Sequence, residues 1–159
     1  MKRLLYFFFC FGVLIFWSSC RNDFEFSPSN GTLEFAKDTV YLDTIFTNIG
    51  SSTYNLKVYN KSNSAISIPS IKLGRGENSM YRLNVDGIAG KNFENIEILA
   101  KDSIYIFIET TINYAQVTNP IYTDSIVFDS NAYIQDVKLV TLAKDAHFLF
   151  PSKNSQGII

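Results

Sequence analysis

Apolar and polar residues alternate along nearly every segment of this chain, and that pattern excludes most folds. A period of two places successive side chains on opposite faces, so each such segment reads as a half-buried strand. In TYNLKVYN, residues 53–60, Tyr54, Leu56 and Val58 face one way while Asn55 and Lys57 face the other. SIYIFIETTIN, residues 103–113, is the longest strand candidate, with Ile104, Ile106, Ile108 and Ile112 inward. TVYLDTIFT, residues 39–47, is expected to turn Val40, Leu42 and Phe46 to one face. MYRLNVDG (80–87) reads as a strand ending in an Asp-Gly turn, and NIEIL (95–99) as a short strand. IYTDSIVFD (121–129) and YIQDVKLVTLAKD (133–145) close the set around a short SNA turn. NKSN (60–63) and AKDS (100–103) carry turn chemistry. No segment repeats at helical spacing.

AISIPSIKL, residues 65–73, breaks the rhythm. Ile66 and Ile68 occupy even positions, whereas Ile71 and Leu73 occupy odd ones. A flip of phase needs a bulge or a break, and Pro69 stands at the flip, where a missing N–H is tolerated. Two short strands, or one strand that bends and changes sheets, would satisfy it.

Seven to nine short strands separated by turns define an all-β class, an antiparallel immunoglobulin-like β-sandwich spanning residues 32–147. No cysteine pair is available to pin its sheets, so apolar packing must hold them. LKVYNKSNSAISIPSIKL, SIYIFIETTI and VKLVTLAKD together resemble the abnormal-spindle/hydin class of immunoglobulin-like domains. The resemblance covers roughly residues 32–145, and the motifs that carry it are structural.

The N-terminus gives the address. Lys2 and Arg3 precede an apolar run from Leu4 to Trp17, followed by Ser18, Ser19 and Cys20. This is the three-part layout of a secretory signal peptide. The run is shorter than the roughly 20 apolar residues of a membrane span, which argues against an uncleaved anchor. Ser18, Ser19 and Cys20 resemble the lipobox of bacterial lipoproteins, with Trp17 where that family often has Leu. The resemblance implies a diacylglycerol on Cys20, removal of residues 1–19 as a signal helix, and an acylated new amino terminus. Residues 20–31 would then be a lipidated tether, and residues 148–159 a C-terminal tail. Cys10 leaves with the signal, so Cys20 is the lone cysteine of the mature chain, which acylation explains. YLDTIFTNIGSSTYNLKVYN and IEILAKDSIYIFIETTI, taken with the lipobox, resemble the front part of bacterial surface lipoproteins. Longer members of that group continue into a parallel β-helix. Ile159 would mark either a short member or a truncation before a further domain.

Charge excludes one class of partner. The 14 Lys and Arg, less Lys2 and Arg3, leave 12 against 15 acidic residues, a net charge near −3. Nucleic acid wants a basic footprint and is not expected. His147 is the lone histidine, in DAHFLFP, and reads as a surface residue rather than a catalytic one. Asp43, Asp102, Asp124, Asp129, Asp136 and Asp145 are expected to blunt edges or fill turns rather than converge on calcium. GRGEN (74–78) lacks the P-loop lysine and reads as a tight bend. No metal and no cofactor is expected. Tyr41, Tyr59, Tyr105 and Phe107 fall opposite the main apolar faces and are the candidate partner-binding residues. The expected protein is therefore a non-enzymatic, lipid-anchored envelope module, structural, adhesive or protein-binding, because no catalytic set of residues is evident in the sequence. Its membrane contact would be lipid on Cys20, in the outer membrane, periplasmic or surface facing. The alternative is an accessory lipoprotein that binds glycans through the outward tyrosines.

Overall fold

The computed structural model describes residues 25–30, 33–113, 119–146 and 156. Cys20, the expected signal segment and His147 lie outside them. The described chain is a sandwich of two sheets. One holds β1 (Ser27–Pro28), β3 (Thr39–Phe46), β5 (Ile66–Leu73), β8 (Asn92–Ile98), β10 (Ile121–Asp129) and β11 (Ile134–Lys144). The other holds β2 (Leu33–Phe35), β4 (Tyr54–Asn60), β6 (Tyr81–Val85), β7 (Ile88–Gly90) and β9 (Ser103–Thr110). The strands of five or more residues number eight, within the expected range, and β1, β2 and β7 are short additions.

The six-stranded sheet runs β8-β5-β10-β11-β3, with β1 sharing the β10 edge of β5. The five-stranded sheet runs β2-β4-β9-β6-β7. Pairing is antiparallel except at two places, β1 with β5 and β3 with β11. The second follows from the path of the chain. After β2 it crosses between sheets over residues 36–38, and β3 then lies beside the last strand and runs the same way. Ser27 and Pro28, within the segment expected as a tether, lie alongside Ile66 and Ser67.

The inward faces interdigitate as one core. Leu42, Leu56, Ile68, Ile71, Ile106, Ile108, Ile112 and Ile126 have no exposed surface. Burial of such side chains contributes about 1.5–3 kcal/mol each. The alternation assigned inward residues of β4 and β9 correctly, but β3 departs from it. Asp43 adopts a φ of 37°, and Leu42 and Asp43 together oppose Thr141 where one residue would normally stand. This bulge shifts the phase, so Ile45 is buried and Phe46 is exposed, the reverse of the expected placement. The Tyr54 hydroxyl donates to Asp43 Oδ2 at 2.9 Å, which raises the Tyr54 pKa above its ordinary value.

The flip in β5 has a different resolution from either expectation. β5 is one strand and stays in one sheet. Its pairing with β8 keeps a single register, Ile68 opposite Ile96 and Ser70 opposite Glu94. Asn95, opposite Pro69 in that register, has a φ of 53°. The two strands change phase together, so Phe93 meets Ile71 inward just as Ile96 meets Ile68. On its other edge β5 exchanges β1 for β10 at Pro69, where no N–H is available to donate.

Turns close the ends. Asp86 and Gly87, at φ 50° and 85°, form the two-residue loop between β6 and β7. Positive φ at both positions suits the twist of a hairpin. Asn60 is buried at the start of the next turn. Its side-chain nitrogen donates to Ser64 O at 2.8 Å and Leu99 O at 2.9 Å, and its Oδ1 accepts from Ser62 N–H at 3.0 Å. That amide therefore knots two loops and is engaged internally, although Asn60-Lys61-Ser62 has the form of a glycosylation acceptor. GRGEN is the expected bend. Gly76 has a φ of 56°, and a Cβ on Gly74 would meet Ser125 Oγ at 2.8 Å.

Candidate binding face on the five-stranded sheet

The outward side chains of β4, β9 and β6 form rows across the five-stranded sheet. Asn55, Phe107 and Asn84 make one row, and Lys57 with Tyr105 the next. Tyr59 stands opposite Ser103 at the following level. Because Tyr105 and Phe107 are two residues apart on one strand, their rings share a face. Their centroids lie 6.3 Å apart with planes 17° from parallel. The rings are 47% and 43% exposed, so a broad flat aromatic surface meets solvent. Lys57 Nζ sits 5.2 Å from the Tyr59 ring and 5.1 Å from the Tyr105 ring, linking the two. Lys61 Nζ lies 4.5 Å from the far part of the same system, the Tyr59 ring. Such cation–π contacts contribute about 0.5–1 kcal/mol at exposed sites, and they hold the rings in place.

Beside Phe107 the surface dips. A shallow groove of about 190 Å³ is lined by Arg82, Leu83, Asn84, Ala89, Phe107 and Glu109. Its depth has a local cause, since Ala89 stands opposite Asn84 and offers only a methyl group. Arg82 Nη2 lies 3.7 Å from Glu109 Oε2, and Arg82 Nη1 donates to Thr111 Oγ1 at 3.1 Å. Thr53 Oγ1 donates to the other Glu109 oxygen. Glu109 is therefore held as an acceptor between two donors. Asn84 Oδ1 is buried and has no hydrogen-bond donor among the described residues. The arrangement offers stacking, one fixed ion pair and amide groups, which is binding chemistry.

The structure brings together three of the four aromatic residues singled out from sequence. Tyr59, Tyr105 and Phe107 share this face with Lys57. Tyr41 is also outward, but it lies on β3 of the other sheet, next to Val140. Alternation gives the face of a strand, not the sheet it joins, and so it grouped Tyr41 with the others. Arg82, Asn84 and Glu109 were missed because outward polar residues look like any solvated face.

The aspartates are each engaged locally. Asp102 accepts the Ser103 N–H, Asp124 the Arg75 N–H, Asp129 the Asn131 N–H and Asp145 the Thr47 hydroxyl. Asp43 accepts from Tyr54, and Asp136 pairs with Lys138. Among the described residues no three His, Cys, Asp or Glu side chains gather as metal ligands.

No family model matches the chain, and no curated protein matches it. Among solved structures, the chain is similar to a FixG-related protein from Vibrio parahaemolyticus. That likeness is 17% identical, covers 61% of this chain and 81% of the other, and has a TM-score of 0.41. It is also similar to part of a family 123 glycoside hydrolase from Clostridium perfringens. There the identity is 8%, the coverage 72% of this chain and 27% of the other, and the TM-score 0.48.

Proposed function

We propose that this chain is a lipid-anchored, non-enzymatic binding module of the bacterial cell envelope, engaging its partner through the outer face of the five-stranded sheet. The observation that carries the binding face is the Tyr59–Lys57–Tyr105–Phe107 array, preset by ring and cation contacts. Rigid aromatic groups lose little freedom on binding and dominate interface energetics. The anchor rests on the likeness of Ser18, Ser19 and Cys20 to a lipobox, and the envelope location follows from it. The abnormal-spindle/hydin likeness supports a structural scaffold for the face.

The anchor is tested by Cys20→Ala, which is expected to abolish acylation and move the protein out of the detergent phase. Unchanged partitioning would remove it. The face is tested by photocrosslinking in cells. A crosslinker replacing Tyr105 is expected to capture a discrete partner, and one replacing Tyr41 on the other sheet is not. The opposite pattern would sink the assignment.

A second reading is that the ligand is a saccharide. It is favoured by the near-parallel Tyr105 and Phe107 rings beside a groove lined by Arg82, Asn84 and Glu109. Sugar rings stack on aromatic faces and donate hydroxyl hydrogen bonds. Binding on a glycan array that is lost in Phe107→Ala is the expected result, and an array without hits rejects this reading.

A further inference from the structure

The two ends of the sandwich differ in which terminus they carry. Ser27 of β1 stands beside Ile66, the first residue of β5, and the two strands run parallel. β10 is antiparallel to β5 and β11 is antiparallel to β10, so β11 runs in the same direction as β1. The described chain thus comes in at one end of the sandwich and leaves β11 at the other. The turns at the incoming end are residues 61–65, 86–87, 99–102 and 130–133.

Large apolar side chains are exposed at or beside those turns. Ile88 follows the Asp86–Gly87 turn, Leu99 opens the 99–102 turn, Tyr133 ends the 130–133 turn and Ile134 follows it. Ile134 is 70% exposed, more than any other large apolar residue described. Two of these turns are tied together, since Lys101 N–H donates to Ser62 O at 3.2 Å and Lys101 Nζ donates to Lys61 O. The opposite end also exposes apolar groups, Phe46, Ile49 and Ile121. Exposure alone therefore does not select an end. Chain length does. From Cys20 to Ser27 there are seven residue steps, which span at most about 25 Å fully extended. A lipidated Cys20 would hold the incoming end within that distance of a bilayer, which favours that end over the other as the one in contact.

We infer that the incoming end rests on the bilayer that holds the anchor, with Ile88, Leu99, Tyr133 and Ile134 seated at the headgroup level. This rests on the lipid-anchor reading above. Tyrosine suits that level because its ring is apolar and its hydroxyl is wet. Lys61 and Lys101 share this end with Asp86 and Asp102, so opposite charges offset one another. The contact is therefore apolar and depends little on anionic lipid.

The test uses the full chain, made in a bacterial host, purified and reconstituted in phosphatidylcholine vesicles. An environment-sensitive fluorophore is placed on Ile88→Cys, Ile134→Cys or, at the opposite end, Ile49→Cys. Mass spectrometry of the same samples reports the lipid on Cys20. The expected result is a blue-shifted emission at positions 88 and 134, with aqueous quenching several-fold weaker than at position 49. Adding phosphatidylglycerol should leave these values unchanged. A lipidated protein whose three labels quench alike overturns this inference and leaves the anchor standing. A chain without lipid on Cys20 overturns the anchor reading and this inference with it.

Discussion

Tyr81 shows how one residue can join the sheets. Its ring is fully buried and tilts against Tyr122 with centroids 5.3 Å apart. Its hydroxyl hydrogen-bonds Thr141 Oγ1 at 2.9 Å and Tyr122 O at 3.1 Å, both on the opposite sheet. Tyr122 returns the link, because its own hydroxyl accepts the Met80 N–H at 3.0 Å. Burial is the main cause that pushes the Tyr81 phenol above its usual pKa, with Thr141 pulling the other way. The unfolded chain loses this proton near pH 10, while the folded chain keeps it to higher pH. The stability tied to this proton is therefore complete below about pH 10 and falls as pH rises further. Tyr54 adds to the same slope, since its pKa is also raised. Tyr81→Phe is expected to cost about 1–3 kcal/mol at pH 7, because buried oxygens lose their partner. It should also flatten the alkaline decline, measured by urea unfolding from pH 7 to 11. An alkaline slope identical to that of the parent protein would show that Tyr81 does not titrate this way.

At the level of elements, the paired kink of β5 and β8 is the most informative. The flip beside Pro69 was legible, because the apolar pattern of β5 itself changes parity. Its counterpart at Asn95 was not, since which residue opposes Pro69 is set by a register between strands distant in sequence. The bulge at Asp43 was hidden for a related reason. One added residue in eight leaves the local pattern close to regular alternation, and only the β11 partner reveals it. The spans of β9, β10 and β11 were legible, but the apolar pattern of β11 changes parity between Leu139 and Val140, and Thr141 rather than Leu142 is buried. Asn95 makes the kink testable. A β-branched side chain at φ 53° is strained, costing about 1–3 kcal/mol, whereas glycine tolerates that conformation. Asn95→Val is therefore expected to lower the urea midpoint clearly, and Asn95→Gly to leave it nearly unchanged. Equal midpoints for the two variants would mean that Asn95 is not held in the left-handed region.

Across the whole molecule, the first and last long strands close the structure. β3 lies at the edge of the six-stranded sheet against β11, which the chain reaches only after every other strand. β2, a few residues earlier, belongs to the other sheet. This short crossing ties the edges of both sheets, and no cysteine falls among the described residues to do so covalently. Apolar packing, with side-chain hydrogen bonds such as those of Tyr81, must make the sheets one cooperative unit. Leu42, fully buried on β3 next to the bulge, is the place to test it. Leu42→Ala is expected to cost about 2–5 kcal/mol, a large share of the 5–15 kcal/mol typical of a domain. If the closure is integral, far-ultraviolet circular dichroism, which follows the strands, should lose signal at the same urea concentration as near-ultraviolet dichroism, which follows Tyr81 and Tyr122 between the sheets. Both transitions should move together in the variant and ignore added reductant. If β3 were a detachable edge, the far-ultraviolet change would come first in Leu42→Ala, while the tyrosine signal kept the midpoint of the parent protein.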